Sequence, residues 1–210
     1  MDNSVLMIVL TENHWLFAGL TSLLPGINSR RIDFSEGPRT GDLSQARRIL
    51  VVVDSGIFLR GKCIVFNALL ALRPDATVVW LRWDYTGLVF PEETSGCLIL
   101  NQKQDVASLR SAMIRILQRI EAEENAKFVS PVVLTQTERY LLPYLASRVS
   151  IPELARLTGI PASRLYRHRQ NIMNKTGFRQ PTFLQLVYER NDGLPGVALT
   201  EKRPAPRVLC

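Results

Sequence analysis

Residues 134–185 read LTQTERYLLPYLASRVSIPELARLTGIPASRLYRHRQNIMNKTGFRQPTFLQ. The helix boundaries in this stretch are written in side chains. Thr135 with Glu138, and Ser150 with Glu153, have the spacing of capping boxes, in which the hydroxyl accepts from an orphan N–H and the acid reaches back to the cap residue. Leu141, Leu142 and Leu145 recur at helical spacing and should face a core. The second helix is short, with Leu154, Ala155 and Leu157 expected inward. It ends at Gly159, because glycine tolerates the left-handed conformation of a helix end. Ile160 plugs the turn, and Pro161 suits the start of the next helix, where no N–H is needed. That third helix should span about residues 162–176, with Leu165, His168 or Arg169, and Ile172 as its buried rib. Arg164, Tyr166, Arg167, Gln170, Asn174 and Lys175 are left to face out. Gly177 closes the helix and Pro181 opens a fourth. Pro143 sits inside the first helix. An interior proline removes a hydrogen bond and costs about 3 kcal/mol, so a kink or early break is expected there.

The basic charge lies in the same place. The chain has 210 residues and a formal net charge of +7. Residues 1–129 carry 14 basic and 14 acidic side chains, residues 130–193 carry 9 and 4, and residues 194–210 carry 3 and 1. The whole excess therefore falls on and after the helical stretch, as a phosphate-binding surface requires.

The stretch resembles the C-terminal DNA-binding domain of the LuxR/NarL/FixJ family of bacterial transcription regulators. The matching residues are Leu134-Thr135, Glu138-Arg139, Leu141-Leu142, Leu145-Ala146, Ser150, Glu153-Leu154-Ala155, Gly159-Ile160, Leu165, His168, Asn171-Ile172-Met173, Lys175 and Gly177. The resemblance implies a helix-turn-helix whose third helix enters the major groove of promoter DNA. Arg164, Tyr166, Arg167 and Gln170 would reach base edges, since arginine can pair with guanine and glutamine with adenine. Arg169, Asn174, Lys175 and Arg179 would hold phosphates. His168 reads as a packed helix residue beside Asn171, not as a ligand. Leu184, Val187 and Tyr188 on the fourth helix resemble the stripe through which such domains pair, with simple core packing the equally open alternative.

Residues 1–120 have a different grammar. Short apolar runs at 5–10, 31–34, 49–54, 77–81 and 96–100 read as strands. Helical patterns at 13–24, 61–72 and 106–120 lie among them. Such alternation points to parallel βα units with helices on both faces. The region 83–95 is irregular, so a helix there is short or absent. The order resembles the receiver domain of response regulators. In that family two acids and a phosphoacceptor aspartate hold Mg²⁺, and a Ser/Thr and a Lys handle the phosphoryl oxygens. Asp54 falls at the phosphoacceptor position and Glu12 at one acid. Asn13 replaces the other acid, Arg82 stands at the Ser/Thr position and Leu100 at the Lys position, with Lys103 nearby. With three of five parts missing, such a pocket should bind metal poorly. Arg82 is near enough in this register to pair with Asp54.

These readings give the expected architecture. A receiver-like five-stranded parallel sheet domain over 1–120 is joined by a linker, 121–131, to an all-α LuxR-type helix-turn-helix domain over 132–192. A basic tail, 193–210, rich in Pro and Gly, is expected to be disordered. The expected function is sequence-specific transcription regulation, with a phosphorylation-incompetent receiver for dimerisation or partner binding. In architecture alone this resembles auxiliary regulators of the RcsA and BglJ kind. Two other readings stay open: a conventional response regulator phosphorylated on Asp54, and an interaction protein that titrates a partner regulator.

The remaining features set bounds. Partners would be double-stranded promoter DNA and a second LuxR-type subunit, as homodimer or heterodimer. No enzyme activity, cofactor, metal site, small-molecule substrate or membrane is implied. WLRWDYTG at 80–87 invites comparison with the ligand pocket of acyl-homoserine-lactone sensors, but the strand–helix alternation before it is wrong for that fold. Cys63, Cys97 and Cys210 are scattered and odd in number, which suits a reducing cytoplasm better than a disulfide framework. Residues 1–10 lack the charged start and cleavage site of a signal peptide.

Overall fold

In the computed structural model the described residues are 5–36, 48–84, 86–87, 98–121, 134–147, 149–191 and 193–194, with single positions at 38, 43, 46 and 132. The chain forms two compact units. One comprises residues 1–83 and 94–130, the other residues 84–93 and 131–210. Of the linker expected over 121–131, only Glu121 is among the described residues. The tail is outside them, except for Gly193 and Leu194, which are buried.

The first unit is a parallel sheet of five strands in the order β2-β1-β3-β4-β5. They are β1 (Val5–Leu10), β2 (Asn28–Ile32), β3 (Arg48–Asp54), β4 (Thr77–Arg82) and β5 (Leu98–Asn101). β1 is buried along its whole length. A continuous apolar run of this kind marks a strand covered on both faces. Helices α1 (His14–Leu23) and α4 (Val106–Glu121) cover one face. There Leu20, Leu24, Met113, Ile116 and Leu117 pack on Val5, Met7, Val9, Leu50, Val52, Val79 and Leu81. On the other face Trp80 stacks on Phe58 of α2 (Gly56–Arg60), with ring centroids 5.1 Å apart, and tilts against Phe66 of α3 (Cys63–Leu72) at 4.9 Å.

Two sequence boundaries shift. The helix expected over 61–72 starts at Cys63, and a short helix that the sequence did not announce, α2, precedes it and is closed by Gly61 at a left-handed φ of 67°. The second strand lies at Asn28–Ile32, earlier than the expected 31–34, because β1 pairs with it from Asn28 onward. Phe34 is still buried, but beyond the strand. Of the irregular region 83–95, only Trp83, Asp84, Thr86 and Gly87 are described.

The second unit contains α5 (Gln136–Ala146), α6 (Ile151–Thr158), α7 (Ala162–Thr176) and α8 (Pro181–Arg190). α5 carries a full capping box between Thr135 and Glu138. At α6 only half of the expected box forms: Ser150 Oγ accepts from the Glu153 N–H at 3.3 Å. α5 runs unbroken through Pro143 to Ala146, so the expected break does not occur. Leu141, Leu142, Leu145 and Ala146 are all buried around the proline. Burial of such side chains contributes roughly 1.5–3 kcal/mol each, which offsets one lost hydrogen bond. Gly159 and Gly177 end α6 and α7 with φ of 68° and 72°.

The core is made by Leu141, Leu145, Leu154, Leu165, Ile172, Met173, Phe178, Leu184 and Val187. Leu157 is not part of it. That side chain is 55% exposed, because Ile151 and Leu154 already fill the inner face of the eight-residue α6. Among the described residues, no helix is long and apolar enough to cross a membrane.

Candidate nucleic-acid interface and acidic pocket

α7 has a dry side and a wet side. Leu165, Ile172 and Thr176 are fully buried, and Met173 nearly so. At 3.6 residues per turn, Ser163, Arg167, Gln170 and Asn174 point within about 40° of the direction opposite that rib. All four are exposed. Arg164 and Tyr166 lie about 80° from the same direction, on opposite flanks. The outward line therefore contains Arg167 and Gln170, as the sequence suggested, and also Asn174. It contains Ser163, which sequence reading passed over although it stands one turn before Arg167.

The expected phosphate-holding residues fare differently from one another. Arg179 is exposed just beyond the C-terminal cap of α7. Arg169 is half-buried, and its guanidinium lies 5.1 Å from the centre of the Tyr166 ring, a cation–π geometry. Lys175 is committed inside the domain: its Nζ donates to Glu138 Oε2 at 2.6 Å. Glu138 Oε2 also accepts from the Thr135 N–H at 2.8 Å. The Glu138 side chain is only 3% exposed, that of Lys175 38%. Burial pushes the Glu138 carboxyl up, but the Lys175 ammonium and Thr135 outweigh it and hold it below its ordinary value. Lys175 thus ties α7 to the first turn of α5. His168 is half-buried on the flank of the rib, as a packed helix histidine.

Of the two readings of the fourth-helix stripe, the single chain shows core packing for two of its three residues. Leu184 and Val187 are each 1% exposed within a single chain. They are core residues, packed where α8 meets α5, and are not available as dimer contacts. Only Tyr188 of the three is half-buried.

In the first unit, parallel strands deliver all their C-terminal ends to one edge, where the loops after β1, β3 and β4 converge. Asp54 ends β3 there and is 4% exposed. Its Oδ2 accepts from Thr11 Oγ1 at 2.8 Å. Its Oδ1 accepts from the Gly56 N–H at 2.9 Å and from the Trp83 indole Nε1–H at 2.8 Å. The Trp83 N–H in turn donates to Ser55 Oγ at 2.9 Å. Both carboxylate oxygens are thus occupied by neutral donors of the same chain. A Cβ at Gly56 would stand 3.2 Å from Asp54 Oδ1, so a larger residue there would require the carboxylate to shift by a few tenths of an ångström.

The other pocket residues are engaged elsewhere. Glu12 is exposed and pairs with Arg60 Nε at 3.0 Å. Asn13 caps α1, accepting from the N–H groups of Trp15 and Leu16. Leu100 packs against the apolar core beneath α1 and α4. Arg82 does not make the ion pair with Asp54 that its register allowed, and its Nε is buried without a hydrogen-bond partner. Thr11 and Trp83 were invisible as Asp54 partners in the sequence. The available signal was that each stands just past the end of a strand flanking β3. These residues do not suit Mg²⁺, which demands an octahedron of oxygens. Among the described residues no three acidic, His or Cys side chains cluster as metal ligands.

No protein-family model matches the sequence, and no curated protein sequence matches it. Solved structures do resemble it. One is the two-component response regulator RcsB–DNA complex, at 12% identity over 89% of this chain and 98% of that chain, with a TM-score of 0.57. A structure of two RcsB dimers bound to two parallel DNAs gives 12%, 89%, 98% and 0.59. RcsB from Salmonella enterica serovar Typhimurium bound to promoter P1flhDC, in the presence of the phosphomimetic BeF3-, gives 13%, 88%, 98% and 0.57. At such identities the likeness establishes the fold: a receiver-like parallel sheet followed by a helical domain of the kind RcsB carries.

Proposed function

We propose that this protein is a DNA-binding transcription regulator of the LuxR/NarL type whose receiver-like unit does not accept a phosphoryl group. The observation that carries the reading is the outward line of α7. Ser163, Arg167, Gln170 and Asn174 form a polar, solvent-facing row on a helix fixed from behind by Leu165, Ile172 and Lys175–Glu138. Such a row has the dimensions to lie in a major groove, with arginines on its flanks for the backbone. The charge of residues 130–193 supplies the long-range attraction. That the RcsB structures carry DNA supports the same reading.

Binding of a duplex by the full chain should weaken steeply as salt rises, because each neutralised phosphate releases a counterion. Arg167→Ala should lose roughly 1–3 kcal/mol of discrimination between preferred and unrelated duplexes. Fluorescence anisotropy over a salt series measures both. Affinity that does not change with salt would rule the reading out.

The phosphorylation-incompetent state rests on the Asp54 contacts. A phosphoryl donor needs a carboxylate oxygen that is exposed and a metal beside it, and neither oxygen of Asp54 is open. Acetyl phosphate with Mg²⁺ should leave the protein mass unchanged, and beryllofluoride should leave Trp83 emission unchanged. A Mg²⁺-dependent adduct lost in Asp54→Asn would restore the conventional response-regulator mechanism. A regulator of this type binds paired half-sites about one helical turn apart, so we propose that it acts as a homodimer or with a second LuxR-type subunit. With Leu184 and Val187 in the core, that pairing would rest on residues other than these two.

A further inference from the structure

We infer that Asn174 is a positioning residue that fixes the Gln170 amide, and that Gln170 so fixed reads an adenine. The inference rests on the DNA-binding reading above and adds the base class to it.

Gln170 Nε2 donates to Asn174 Oδ1 at 3.0 Å, one helical turn further along α7. Both side chains are exposed and both belong to the outward line. A glutamine amide has two alternative orientations that exchange its oxygen and its nitrogen. Asn174 Oδ1 can accept only from the nitrogen. With Asn174 Oδ1 facing Gln170, the bond holds Nε2 toward the C-terminal end of α7 and Oε1 away from Asn174.

The inventory that remains defines the base. One of the two Nε2–H groups is used by Asn174. The other N–H and Oε1 stand side by side as a donor and an acceptor. In the major groove adenine presents N7 as acceptor beside the N6 amino group as donor, which is the complement of that pair. Guanine presents two acceptors, cytosine a donor, and thymine an acceptor beside a methyl group. Among single bases only adenine satisfies both atoms of the held amide at once. Holding the amide before contact also removes rotamer freedom that would otherwise be lost on binding.

Flanking side chains do not compete for this position. Arg169 is drawn onto the Tyr166 ring, away from the outward line, and Lys175 is tied to Glu138. Asn174 was expected from the sequence to hold a phosphate. The hydrogen bond gives its oxygen a different task.

The test is selection from a randomised duplex library with the full chain, followed by anisotropy on the selected duplex and its single-base-pair variants. The selected site should contain an adenine whose replacement costs the wild type roughly ten- to a hundredfold in affinity. Gln170→Ala should abolish that preference. Asn174→Ala should weaken it several-fold at the same base pair, a clearly larger loss than it causes on unrelated duplexes. Asn174→Asp keeps an acceptor for Nε2 but adds a negative charge. It should retain the adenine preference while lowering affinity for every duplex. If Asn174→Ala instead weakens all duplexes equally and leaves the preference intact, Asn174 is a phosphate contact and the inference falls. It also falls if Gln170→Ala changes no base preference. Failure of the wild type to bind any duplex at low salt would overturn the DNA-binding reading itself, and this inference with it.

Discussion

Lys175→Met is expected to destabilise the helical unit by about 2–3 kcal/mol, towards the lower end of the range for breaking a buried pair because one partner is partly exposed. The substitution keeps the aliphatic stem and removes the charge that offsets the burial of Glu138, whose side chain is 3% exposed. Glu138→Gln should cost less. Its amide oxygen can still accept from Thr135 N–H, and Lys175, 38% exposed, can turn to water.

The pH dependence separates the two states of the pair. In the wild type the Glu138 carboxyl sits below its ordinary value, so its contribution is complete above the unfolded carboxylate range and is lost as pH falls through the folded value. Without Lys175, only the Thr135 hydrogen bonds oppose burial, so the same carboxyl rises relative to its wild-type value. The variant should then gain stability relative to wild type as the pH is lowered toward the ordinary carboxylate range. All three tryptophans, Trp15, Trp80 and Trp83, lie in the first unit, so urea unfolding followed by far-ultraviolet circular dichroism should show the loss while tryptophan emission does not. Equal stability of Lys175→Met and wild type near neutrality would show that Lys175 is free to serve DNA instead.

Asp54→Ala should destabilise the first unit by about 4 kcal/mol or more in protein that has never met a phosphodonor. The carboxylate accepts three hydrogen bonds from Thr11, Gly56 and Trp83. Bonds to a charged acceptor contribute about 1.5–3 kcal/mol each, and donors left buried without an acceptor add a penalty. The loss should be the same with and without Mg²⁺. Asp54→Asn should be far milder, because its oxygen can accept from Gly56 and Trp83 while its amino group donates to the Thr11 hydroxyl. That variant should also bind DNA as the wild type does, since no phosphoryl switch is removed. Tryptophan emission during urea unfolding reads both variants through Trp83. Wild-type stability of Asp54→Ala would mean that the three contacts hold nothing together.

How much was legible in advance depends on the range of the interaction. The caps at Thr135 and Ser150, the left-handed closures at Gly159 and Gly177, and the alternation of buried runs with helical patterns are local signals. A chain displays them within a few residues, and the element types follow. The outward placement of Arg167 and Gln170 follows from the period of one helix.

The misses share a cause. Leu157 and Leu184 are apolar residues on amphipathic helices, and periodicity says that they want burial without saying which helix face wins the limited core. Packing left Leu157 out and drew Leu184 in. Asp54 was legible as a strand-end acid, but its partners come from Thr11, 43 residues earlier, and Trp83, 29 residues later. Lys175 read as one more cation of a basic helix until the fold set it against Glu138, 37 residues away. Sequence alone therefore determined the two classes of unit, the outward polar row of α7 and the seat of the positive charge, because each depends on short-range periodicity and composition. Tertiary structure alone decided which charges are free and which are bound, because a charge is neutralised by whatever the fold places within 3 Å or so of it, and sequence distance does not measure that.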